Sequence, residues 1–172
     1  MKHLTYIMLV SVVLSISCSR KDKEPNMTEE NASANQEWLT GQIDYEGFPL
    51  LLRRPKDLDY DLLKDSFPNL VVVQHQFAKT KPSGLPEDDY NLGLADFDDE
   101  VVNYFRNRKQ GITVLVETFG GKRNYYMYAD ADADFDKAKA HFKQSYPEHN
   151  ISWTIKNDPD WGFIKSYEKE FF

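Results

Sequence analysis

The chain has one cysteine in 172 residues, Cys18, so no disulfide can close within one molecule and no thiolate cluster can hold a metal. It has no apolar run of the roughly 20 residues that a membrane-spanning helix requires. The longest candidate, residues 4–16, is interrupted by Thr5, Ser11 and Ser15. Cations are outnumbered, 21 Lys and Arg against 28 Asp and Glu, for a formal charge of −7. Such a domain repels a phosphate backbone instead of neutralising it, which disfavours nucleic acid as a partner. A Gly-x-Ser-x-Gly elbow, a phosphate-cradling loop and a dinucleotide fingerprint are all missing. His75, His141 and His149 do not stand at the short fixed spacing of zinc ligands. No cofactor and no metal is expected, and with no catalytic constellation the reading leans away from an enzyme.

What is present begins with an address. Lys2 and His3 precede the short apolar stretch, and small residues close it, the layout of a secretory signal over residues 1–17. Ser15-Ile16-Ser17-Cys18 resembles a lipobox, with Leu14 one place further from the cysteine than usual. Cys18 is therefore expected to carry lipid, placing the protein in the cell envelope, anchored to the inner or outer membrane. An ordinary signal peptide with a chance cysteine, or an uncleaved anchor, is the plain alternative. Acyl chains contribute about 0.8 kcal/mol per buried methylene, so a lipidated domain needs no membrane-binding surface of its own. Residues 18–36 hold one sizeable apolar side chain, Met27, and read as a flexible tether. Lipoproteins of the Bacteroidetes type can carry an acidic export signal directly after the cysteine. Lys21-Asp22-Lys23-Glu24 mixes signs, which leaves periplasmic and surface exposure both open.

Residues 37–172 read as one α+β domain. Residues 41–45 and 48–54, separated by Glu46-Gly47, form an expected hairpin, and Pro49 points to an edge strand. Asp57 can cap a short helix whose Leu58, Leu62 and Leu63 face inward. Leu70-Val71-Val72-Val73 through Phe77 reads as a central strand. Leu94, Phe97, Val101, Tyr104 and Phe105 recur at three and four within a helix predicted over residues 88–109, ended by Gly111. Gly120-Gly121 joins two further strands. Asp132 or Asp134 can cap a helix bearing Phe135, Ala138 and Phe142. Ile151, Trp153 and Ile155 alternate in a last strand, and Pro159 suits the first turn of a C-terminal helix. From Leu70 onward the order is that of a ferredoxin-like split βαβ sheet, with both helices on one face. The N-terminal hairpin, the C-terminal helix or a second molecule must cover the other.

Three runs carry a resemblance: Ser83-Gly84-Leu85-Pro86-Glu87, Gly121-Lys122-Arg123-Asn124-Tyr125-Tyr126-Met127-Tyr128, and Asn157-Asp158-Pro159-Asp160-Trp161. Together they are similar to the pattern of the domain-of-unknown-function family 695 (DUF695), over about residues 48–172. Some relatives are joined to a segment like a regulator of ribonuclease E activity, itself ferredoxin-like. The resemblance implies a fold and supplies no catalytic residue. An exported chain also stands apart from that regulator's cytoplasmic setting.

Several clusters invite chemistry. Asp130, Asp132, Asp134 and Asp136 alternate like calcium ligands, but an EF-hand loop needs Gly where Phe135 stands and Glu where His141 stands. Carboxylates at a helix start are the simpler reading. Asp96, Asp98, Asp99 and Glu100 read as a solvated helix face. Arg123, Tyr125, Tyr126 and Tyr128, with Trp161, form a possible binding surface, since a guanidinium among aromatics can grip an anionic or planar group. Strand alternation sets Arg123, Tyr125 and Met127 on one face and Tyr126 and Tyr128 on the other. The expectation is a non-enzymatic envelope binding module that meets a protein partner or a second copy through an open sheet face. The alternatives are a hydrolase of envelope material or a small-ligand-binding lipoprotein.

Overall fold

A computed structural model describes residues 36–171. The signal, Cys18 and nearly all of the tether lie outside the described residues. Six strands make one antiparallel sheet: β1 (Trp38–Tyr45), β2 (Phe48–Pro55), β3 (Asn69–Gln76), β4 (Gly111–Phe119), β5 (Lys122–Ala129) and β6 (Asn150–Asn157), in the order β1-β2-β4-β5-β3-β6. Five helices accompany them: α1 (Tyr60–Leu63), α2 (Asp88–Leu92), α3 (Ala95–Asn103), α4 (Phe135–Ser145) and α5 (Gly162–Phe171). Among the described residues no helix is long and apolar enough to cross a membrane.

Both hairpins form where the dipeptides place them. Glu46 and Gly47 take φ of 54° and 80°, and Gly120 and Gly121 take 58° and 83°. Two left-handed residues in succession match the twist of the strands they join. Pro49 does not mark an edge: β1 is the edge strand, and β2 lies inside it. Pro49 is tolerated because the pairing of β2 with β4 covers only Leu51 to Arg53, so no inner ladder bond is lost there.

Strand alternation divides the core in two. Val71 and Val73 of β3 with Tyr125 and Met127 of β5 pack under Phe97 and Val101 of α3 and Ala138 and Phe142 of α4. On the other face Leu70 and Tyr128 pack with Leu50, Leu52, Trp161, Ile164 and Tyr167. The C-terminal helix therefore covers the second face, and the hairpin widens the sheet.

Three helix expectations are corrected. The first short helix is capped by Asp59, whose carboxylate accepts from the Asp61 and Leu62 amides, and Leu62 is 75% exposed instead of facing inward. The helix predicted over 88–109 is α2, a break at Gly93-Leu94, α3, and a 3-10 turn at Arg106–Arg108. It ends at Lys109 (φ 56°), while Gly111 opens β4. A Cβ there would meet the Tyr128 carbonyl oxygen at 2.5 Å. The C-terminal helix starts at Gly162, and Pro159 stays in the preceding loop. Asp134, not Asp132, caps α4 by accepting from the Lys137 amide at 2.9 Å.

Candidate functional site

Arg123 of β5 stands opposite Thr118 of β4 and His75 of β3 and points toward α3. Every arm of its guanidinium is engaged. Nε donates to Thr118 Oγ1 at 3.0 Å, Nη2 to Asn91 Oδ1 at 2.8 Å, and Nη1 to Asp98 Oδ2. The Tyr125 hydroxyl donates to the other oxygen of Asp98. Burial first, and then the Asp98 charge, push the Tyr125 phenol well above its ordinary range, so it remains a donor. The break at Gly93 lets α2 bring Asn91 in separately from the Asp98 of α3. Asp98 is thus no solvated residue: its side chain is 17% exposed and ion-paired.

The five residues expected to form a binding surface are not brought together on one. Arg123 and Tyr125 lie on the α3 face, while Tyr126, Tyr128 and Trp161 lie under α5. Tyr125, Tyr128 and Trp161 are fully buried. Tyr126 stacks on Phe163 with centroids 4.7 Å apart, and Tyr128 stacks on Trp161 at 4.0 Å. Tyr128 also donates to Asp158 at 2.6 Å. These rings are packing, and their hydroxyls end on carboxylates instead of water.

The Asp158-Pro159-Asp160-Trp161 run is a structural joint. The Asp158 carboxylate accepts from the Gly162 and Phe163 amides at 2.9 and 3.0 Å, capping α5. The Trp161 Nε1 donates to the Phe67 carbonyl at 2.8 Å. The Ser83-Gly84-Leu85 loop is fastened to the Gly120-Gly121 turn, where the Gly121 amide donates to the Gly84 carbonyl at 2.9 Å. Gly84 (φ 80°) has no room for a side chain, since a Cβ would meet the Gly120 backbone at 3.3 Å.

Beside the Arg123 network lies an open groove of about 670 Å³ between the inner face of the β1–β2 hairpin and the α2–α3 segment. Trp38, Leu92, Ala95 and Val102 give it apolar walls; Asn91, Asn103, Asp98, Asp99, Arg53 and Arg106 give it polar ones. That volume falls within the range of small-molecule sites. Sequence reasoning missed Trp38, Arg53, Asn91 and Arg106. The only available signal was Arg53 alternating with Leu50 and Leu52 on a strand, which shows that it leaves the face those leucines bury but not what it meets. Among the described residues no three His, Asp or Glu side chains converge as metal ligands.

His75, 1% exposed, packs against Phe77, Phe97 and His149, with ring centroids 4.8 Å from both Phe97 and His149. Its Nδ1 has no hydrogen-bond partner. Burial, followed by the nearby His149 and Arg123, pulls the imidazole from 6.5 down to about 4. The folded state then binds fewer protons than the unfolded chain between these values, so stability falls as pH drops from 6.5 to about 4. At about 1.4 kcal/mol per unit, the loss is roughly 3 kcal/mol. Urea titrations across that window should show this loss in the parent and a nearly flat profile in His75→Phe; an unchanged slope in the variant would assign the acid loss elsewhere. Asp158 contributes separately. Burial alone would raise its carboxyl, but the Tyr128 hydroxyl and two α5 amides hold it below 3.8, so its stabilisation is lost only at lower pH.

Fold and site together define an α+β domain in which a six-stranded antiparallel sheet carries a desolvated Arg–Asp–Tyr network next to an open amphipathic groove. The chain belongs to the family of unknown function DUF695, whose family model matches residues 36–167. No curated protein and no solved structure matches the chain.

Proposed function

We propose that this DUF695 chain is a lipid-anchored envelope protein whose domain is a binding module, with the groove beside Arg123 as its binding place. The groove itself carries the reading, because it combines apolar walls, amides and cations with a carboxylate unsuited to acid–base work. Both oxygens of Asp98 are occupied, one by the Arg123 guanidinium and one by the Tyr125 hydroxyl. A carboxylate so held has neither a proton to give nor a free lone pair aimed at a substrate, which counts against the hydrolase reading. With α5 covering the second sheet face, a protein partner or second copy is better sought at the groove than on an open sheet.

The order β6-β3-β5-β4, with α3 and α4 on one face, supports placing the domain among ferredoxin-like split βαβ folds. The β1–β2 hairpin and α5 are then additions, and the hairpin addition is what creates the groove.

Two experiments test the reading. Native mass spectrometry of the full chain, extracted in mild detergent, should find a retained molecule that is lost in Ala95→Trp, where an indole fills the groove. Equal retention by the variant would rule the groove out. For the anchor, Cys18→Ala should move the protein from the membrane fraction to the soluble one; a variant still sedimenting with membranes would refute lipidation at this residue.

A further inference from the structure

Arginines in the described part of the chain number five: Arg53, Arg54, Arg106, Arg108 and Arg123. Arg54 pairs with Glu168 at 2.5 Å. Arg108 donates to the Tyr104 carbonyl at 2.8 Å and lies over the Tyr104 ring at 3.7 Å. Arg123 pairs with Asp98. The guanidinium groups of Arg53 and Arg106 have no acceptor among the described residues, and both line the groove. One nitrogen of Arg53, Nη2, is shielded from solvent as well as unpartnered. In a chain carrying seven more acidic than basic residues, two unpaired guanidiniums converging on one cavity are not an average outcome of surface composition. A shielded donor without an acceptor is also costly, and such groups are normally satisfied.

The charge count restricts the missing acceptor. Asp98 is neutralised by Arg123, so it offers the groove no net charge. Asp99 accepts from Asn103 Nδ2 at 2.9 Å and sets one negative charge against the two positive ones. One positive charge remains, which suits a monoanion; a phosphate dianion would meet Asp99 without a matching cation. A planar carboxylate also fits the guanidinium fork with two parallel hydrogen bonds. The rest of the ligand must be apolar or planar, because Trp38, Leu92, Ala95 and Val102 supply the walls and Leu92 is left 74% exposed. We infer that the groove takes an organic monocarboxylate, its carboxylate held by Arg53 and Arg106 and its apolar body laid against Trp38 and Leu92. The inference rests on the groove being the binding place and adds the class of ligand.

The test uses the full chain in detergent with four probes: benzoate and hexanoate, and their neutral counterparts benzamide and hexanamide, followed by calorimetry and tryptophan fluorescence. Both acids should bind saturably, and both amides at least tenfold more weakly. Arg53→Gln and Arg106→Gln should each weaken the acids at least tenfold, as expected for loss of a charge-assisted hydrogen bond. Because Arg53 has no partner to lose, Arg53→Gln should melt at the parent temperature, which separates lost binding from lost folding. Amides binding as tightly as acids would overturn the inference, as would failure of both acids to bind. Acids that bind both variants unchanged would be an adventitious additive only, and overturn it equally. A neutral molecule retained by the parent and lost in Ala95→Trp would leave the groove standing as the binding place while removing the carboxylate claim. Retention in Ala95→Trp would remove the groove itself.

Discussion

Arg123→Ala should lower the unfolding free energy by about 3–5 kcal/mol, the cost typical of removing one partner from a buried ion pair. The guanidinium is 9% exposed and its Asp98 partner 17%, so the remaining carboxylate could not recover its water. Tyr125 would still donate to one oxygen of Asp98, but Asn91 and Thr118 would each lose a donor. Asp98→Ala should cost a similar amount by stranding the cation. A buried pair exchanged for apolar groups of like volume is often neutral. The combined change Arg123→Met, Asp98→Leu and Tyr125→Phe should therefore recover most of the loss against the surrounding Phe77 and Phe97. Denaturant unfolding of the two single variants and the triple one measures all three quantities. If Arg123→Ala costs less than about 1 kcal/mol, the range of exposed pairs, the network is solvated and its role as a rigid floor to the groove fails with it.

Trp161 should produce the other large effect, with an unusual order among its replacements. The indole is fully buried, stacked on Tyr128 at 4.0 Å with 13° between planes, and tilted against Tyr60 at 5.5 Å. Trp161→Ala is expected to cost about 3–5 kcal/mol. Yet the residue sits at φ 54°, a left-handed conformation that costs an L-residue roughly 1–2 kcal/mol. Packing and the Nε1 bond to Phe67 hold it there. Once the ring is gone nothing offsets that cost, so Trp161→Gly should be more stable than Trp161→Ala, the reverse of an ordinary core position. Thermal melts of the pair decide it: Ala above Gly would mean that the backbone relaxes out of the left-handed region when the indole is removed.

These two residues also show how far the sequence could be read. The hairpins were legible because Glu46-Gly47 and Gly120-Gly121 announce left-handed turns locally, and β3 because its β-branched run has one reading. The break at Gly93-Leu94 was not. Leu94, Phe97, Val101 and Tyr104 are buried on both sides of it, so the apolar periodicity runs through the break undisturbed. The start of α5 was misplaced because Pro159 is a familiar first-turn residue, whereas the capping group is Asp158, reaching four residues forward through a left-handed Trp161. Arg123 stood out among tyrosines, but its partners did not. Asp98 belongs to an acidic run resembling any solvated helix face, and Asn91 sits 32 residues before the arginine it holds. The groove was less legible still. Arg53 and Trp38 lie on one strand pair and Arg106 on a turn far along the chain, and only the addition of the hairpin beside β4 brings them together.

The sheet order also bears on how the chain reaches this state. Each hairpin closes over two residues, a matter of microseconds for an isolated ribbon. Strand β3, in contrast, is inserted between β5 and β6, with partners as far apart in sequence as 50 residues for Gln74 and Asn124 and 88 for Asn69 and Asn157. Closing loops of that length must precede any reward from pairing, and topologies dominated by such contacts fold in milliseconds to seconds. The strand at the heart of the sheet thus has its register completed only after residue 157 has emerged. A chain held open during synthesis or transfer would keep its most apolar strand without neighbours until the end.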